Sequence, residues 1–78
     1  MSVTVHPGRL AHEIARRGWA PIDLAREARI SPATVSAALS GRPIAARTLG
    51  LIAAALLRTP PVAEIDRLLL NDGGLDLR

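Results

Sequence analysis

Residues 21–36 read PIDLAREARISPATVS, and this stretch decides the fold. Pro21 suits the first position of a helix, where its missing N–H costs nothing and its fixed φ is already helical. Ile22, Leu24, Ala25 and Ala28 follow as apolar positions and predict a helix over about 21–28. Ser31 is a capping residue: its hydroxyl accepts an N–H of the following turn, and Pro32 behind it loses no needed donor. The next helix, over about 32–40, turns Val35, Ala38 and Leu39 toward the core and stops at Gly41, before Pro43. Only Arg29 and Ile30, with the Ser31 cap, separate the two helices. So short a link cannot lay them side by side, and they cross steeply, with Ala25 small enough to let the second helix pass close over it.

Outward from this pair the punctuation continues. Pro7 and Gly8 open a first helix over about 8–17, with Leu10, Ala11, Ile14 and Ala15 on one stripe and Gly18 as its stop. Trp19, the only aromatic residue, is expected to pack between the first and second helices. Leu49, Ile52, Ala53 and Leu56 give a fourth helix its stripe, leaving Leu51 and Leu57 off it. That helix starts weakly, because Ala45 stands where Ser or Asp would cap. Thr59 and Pro61 open a fifth, with Val62, Ile65, Leu68 and Leu69 apolar and Asn71 to Gly74 as the stop. The class is all-α, with five helices. Alternation is too scarce for a sheet core, although Ser2–His6 and Leu75–Arg78 alternate like short strands.

Composition limits what such a domain can be. Seventy-eight residues make one domain, with residues 7–58 as core and residues 59–78 as a C-terminal helix and tail, the expected dimerisation part. Cysteine is absent, which removes disulfides, thiolate metal sites and Cys nucleophiles. No metal or cofactor is expected, since His6 and His12 find no third ligand, and the motifs of an enzyme are missing. The longest apolar run, Leu51–Leu57, is too short for a bilayer, and no secretory signal is visible; the expected place is the cytoplasm, with the nucleoid. All ten basic residues are Arg. Residues 1–58 hold eight of them against three acids, a net +5, while residues 59–78 carry a net −2. A basic unit with an acidic tail suits a polyanion on one side and another partner on the other.

The 21–36 stretch is similar to the helix-turn-helix core of the lambda-repressor-like class. With a helix before it and two after, residues 7–71 resemble the Xre/Cro–CI family of small repressors. Residues 30–43, ISPATVSAALSGRP, are similar to the recognition segment of the LacI family, but LacI-type domains start at the first helix of the pair, so the Xre-like resemblance covers more of the chain. It implies a sequence-specific double-stranded DNA-binding regulator, a repressor acting as a homodimer on a palindromic operator. Two departures touch function. The family's usual Gln at the start of the pair is Pro21, which cannot contact a phosphate through its side chain, and its usual turn Gly is Arg29, which costs roughly 1 kcal/mol if φ is positive.

The resemblance makes Ser31, Pro32, Ala33, Thr34, Ser36, Ala37 and Ser40 the DNA-facing residues of the third helix. Arg29, Arg42 and Arg47 are its phosphate clamps. That face lacks the Arg, Gln or Asn expected for bidentate base contacts; it offers hydroxyls, methyl contacts to thymine and close approach. Affinity is therefore expected mainly from phosphates, and specificity partly from DNA shape. Arg9, Arg16, Arg17 and Arg26 read as helix surface or as partners for Glu13 and Glu27. Surplus apolar residues (Ile65, Leu68, Leu69, Leu70, Leu75 and Leu77) predict a two-fold dimer through the fifth helix and its flanks, the strand-like ends pairing with each other or across it. Two other readings stay open: an antitoxin-type DNA-binding partner of a second protein held by the C-terminal part, and a helix-turn-helix fold reused for protein interaction.

Overall fold

Pro7, Pro21 and Pro32 each take the first position of a helix in the computed structural model, which describes residues 1–62. The helices are α1 (Pro7–Arg16), α2 (Pro21–Ala28), α3 (Pro32–Leu39) and α4 (Ala46–Arg58). Two short strands, β1 (Ser2–Val3) and β2 (Ile44–Ala45), pair antiparallel, with Ser2 opposite Ala45 and Val3 opposite Ile44. The fold is mostly helical, as expected. The expected opening of a fifth helix at Thr59 and Pro61 is not found, since residues 59–62 are not helical. The rest of that helix, the expected Leu75–Arg78 strand and the dimer residues Ile65, Leu68, Leu69, Leu70, Leu75 and Leu77 lie outside the described residues. Ser2–Val3 is strand-like as its alternation implies, but its partner is β2, next to α4, and not the chain's other end.

Each helix start is satisfied differently. The His6 ring accepts the Arg9 N–H, and the Ser31 hydroxyl accepts the Thr34 N–H, as a capping residue should. At α2 the Ala20 N–H donates to the Asp23 carboxylate at 2.7 Å, which is half of a capping box, since Ala20 has no side-chain oxygen to return the bond. Ala45 likewise gives α4 no side-chain cap. The strand pairing compensates there, because it brings the Met1 carbonyl to the Ala46 N–H at 3.2 Å.

Three helix ends share one pattern. Gly18, Arg29 and Gly41 all have positive φ (72°, 60° and 77°), and each N–H bonds the carbonyl three residues back. The following residue (Trp19, Ile30, Arg42) bonds the carbonyl five residues before it, which is the Schellman closure. Two of the three left-handed positions carry glycine and one carries arginine. The strain anticipated for Arg29 is therefore present.

The core joins all four helices. Leu24, Val35 and Ala38 are 0% exposed where α2 crosses α3, with Ala25 and Ala28 beside them. Leu10 and Ile14 of α1, Ile44 of β2, and Ile52 and Ala55 of α4 complete it, and Trp19 is half-buried against the same cluster. Two sequence expectations need correction. Ile22 faces outward, because the α2–α3 crossing is centred on Leu24 and Ala25. On α4 the buried line runs through Ile52 and Ala55, with Leu51 and Leu56 packed beside it, while Leu49 and Ala53 are exposed. α2 packs against α4, and Leu51 lines a recess with Arg26, Glu27 and Ala28 of α2.

Candidate nucleic-acid interface

The exposed side of α3 is built by its two ends. Ser31 begins it, and its hydroxyl also lies 2.8 Å from that of Thr34, so these two candidate contacts form one polar unit at the N-terminus. At the other end the Schellman closure through Gly41 binds the Arg42 N–H to the Ala37 carbonyl at 3.0 Å, fixing where Arg42 leaves the helix. Ser31, Pro32, Ala33, Ser36, Ser40 and Arg42 are exposed, and Thr34 and Ala37 are half-buried.

Ala33, Thr34 and Ala37 share a shallow recess of about 380 Å³ with Pro43, Ile44, Ala45 and Thr48. The β2 segment thus sets the start of α4, with exposed Arg47 and half-buried Thr48, beside the α3 face. Arg29 lies elsewhere: it lines a second recess with Arg26, Glu27, Leu51 and Arg58. The candidate residues consequently fall into two groups, one around the recess and one at the α2–α3 turn. Sequence reading missed Thr48 and Arg58. Thr48 becomes visible only once α4 is seen to start against α3, and Arg58 reaches the Glu27 carbonyl at 2.7 Å across 31 positions, for which the sequence carries no signal.

Electrostatics sort the eight arginines of residues 1–62. Arg16 and Arg17 both pair with Glu13, at 3.0 and 2.8 Å, as the spacing implies. Arg26 pairs with Asp23 at 3.0 Å and not with Glu27, since three residues back is within its reach on the same face. Arg17 does more than its spacing suggests. Its side chain is 8% exposed, and it also donates to the Leu56 and Thr59 carbonyls at the end of α4. The Arg17 hydrogen bond holds the Glu13 carboxyl below its usual range, with help from the Arg16 charge and against partial burial. The Ala20 N–H, then Arg26, lower Asp23 in the same way. Arg29, Arg42 and Arg47 have no acidic partner among the described residues.

Among the described residues no group of His, Cys, Asp and Glu could hold a metal ion, and no helix is long and apolar enough to cross a membrane. No family model, curated protein or solved structure matches the chain.

Proposed function

We propose that this chain is a double-stranded DNA-binding regulator of the Xre/Cro–CI kind, a repressor working as a homodimer on a palindromic site. One observation carries the reading. Of the five arginines without an acidic partner among the described residues, three (Arg29, Arg42 and Arg47) stand at the two ends of the exposed α3 face and at the start of the helix beside it, while Arg9 lies on α1 and Arg58 is held by the Glu27 carbonyl. The arginines elsewhere on α1, α2 and α4 are largely engaged with Glu13, Asp23 and the Glu27, Leu56 and Thr59 carbonyls. Cations left unneutralised around an exposed helix of a steep helix pair suit phosphates on both sides of a major groove.

The α3 face then reads bases with methyl groups and hydroxyls. Ala33 and Ala37 approach thymine methyls closely, while Ser36 and Ser40 supply adaptable hydrogen bonds. The dimer rests on apolar surface of the C-terminal part, with exposed Leu57 as its described neighbour. Two such units set their reading helices about 34 Å apart, one turn of duplex.

The test is binding to a duplex selected from a random pool, measured across a salt series. Arg42→Ala and Arg29→Ala should each flatten the log–log salt slope by about one unit. Deoxyuridine in place of thymine should weaken the selected site alone. Affinity at moderate salt that ignores both arginine changes would sink the reading.

A further inference from the structure

An apolar groove of about 190 Å³ runs between α1 and α4. Val5 and Leu10 line one side and Leu49, Ile52, Ala53 and Leu56 the other, with Arg9 and Glu13 at the rim. Leu49, at 37% exposure, and Ala53 are the same residues whose periodicity assigns them to a core. Something apolar belongs over them.

The path of the chain says what. After α4, the Arg17 guanidinium takes the Leu56 and Thr59 carbonyls at 2.9 and 2.6 Å. The Val62 N–H then donates to the Arg16 carbonyl at 2.9 Å. These bonds turn the chain back onto α1 and bring residue 62 to the groove's Glu13–Leu56 end. Sixteen residues follow, and Ile65, Leu68 and Leu69 among them fall at i, i+3 and i+4, one stripe of a helix. Seven helical residues span roughly 10 Å, the same rise as from Leu56 to Leu49 along the groove.

We propose that residues 63–69 of the same chain occupy the α1–α4 groove, with Ile65, Leu68 and Leu69 seated over Leu49, Ala53 and Leu10. Leu70 is off this stripe and stays available, with Leu57, for the two-fold contact. The inference does not depend on DNA binding.

The absence of cysteine from the chain makes the test clean. Ala53→Cys is combined in turn with Ile65→Cys, Leu68→Cys and Leu69→Cys in the full chain, and each pair is oxidised at low micromolar concentration. At least one pair should close within a single chain in most molecules, read as intact monomer mass that shifts on reduction. Ala33→Cys, on the α3 face, should not close with any of the three. In a separate variant without cysteines, Leu69→Asp should lower the urea midpoint while Leu69→Met retains it. Three open pairs, or disulfides formed mainly between chains as a second copy in the groove requires, would overturn the proposal. So would an unmoved midpoint in Leu69→Asp.

Discussion

The two halves of this molecule are closed by different means. Where α2 crosses α3, Ala25, Ala28 and Ala38 let the backbones approach, and Leu24 and Val35 fill the space completely. Where α1 meets α4, Leu10, Ile14 and Ile52 are buried, yet Leu49 and Ala53 stay open and a nearly buried arginine ties the helix ends together. The first half is a fully packed crossing beneath the α3 face. The second is a polar clamp beside an unfilled groove. The halves are not independent, because α3 also packs against α1 and α2 against α4, so one core serves both.

Truncations should expose that contrast most strongly. Leu24→Ala removes a fully buried side chain from a crossing that cannot collapse, and should cost about 3 kcal/mol. Leu49→Ala, on the groove, should cost about 1 kcal/mol in the full chain. Urea unfolding monitored by helical circular dichroism gives both numbers, and equal costs would erase the distinction between the halves. Next in size is the clamp. Arg17→Ala strands the Leu56 and Thr59 carbonyls and takes a partner from Glu13, so a loss of about 2 kcal/mol is expected in the same assay.

These two residues also mark how far the sequence could be read. Leu24 and Val35 were legible because caps, prolines and apolar spacing agree locally, and local agreement is what a sequence displays. The prolines at 7, 21 and 32 were legible for the same reason, whereas the left-handed turn at Arg29 was pointed to only by the resemblance, through the glycine usual at that position. The rotation of α4 was not: its apolar residues nearly encircle it, so periodicity cannot choose between a Leu49–Ala53 face and an Ile52–Ala55 face until α2 packs against one. Arg17 shows its i, i+4 partner but not the carbonyls 39 and 42 residues away. At the candidate site the ends of α3 follow from the local cap and stop, while the roles of its residues and of Arg42 come from the resemblance. Thr48 and Arg58 enter only through tertiary packing.

The turn inside the packed half offers a smaller effect of opposite sign. Gly18, Arg29 and Gly41 make the same closing bonds, and only Arg29 bears a Cβ in the left-handed region. Arg29→Gly should therefore stabilise the fold by about 1 kcal/mol, the relieved strain partly offset by a freer unfolded chain. If Arg29 is a phosphate clamp, the same change should weaken duplex binding and flatten its salt slope. Stability and binding moving together in this variant would contradict a clamp kept at the expense of strain.

The smallest effect is carried by protons at the clamp. Glu13 accepts from Arg17 and Arg16, and its carboxyl is held below the usual range. A carboxylate whose folded pKa is depressed binds protons more tightly in the unfolded chain. Its contribution is thus fully present above the unfolded value of about 4.3 and fades as pH falls through that value toward the folded one. The side chain is 34% exposed, so solvent screens the pair and the contribution at neutral pH is about 0.5 kcal/mol. Asp23 fades over the same acid range for its own reasons, so the raw pH profile of the protein cannot isolate Glu13. The difference between the native chain and Glu13→Gln does. That gap should hold from pH 7 to about 5 and close toward pH 3, measured as paired urea midpoints. A gap that persists unchanged into acid would mean that Glu13 stabilises the α1–α4 half by packing and not by charge.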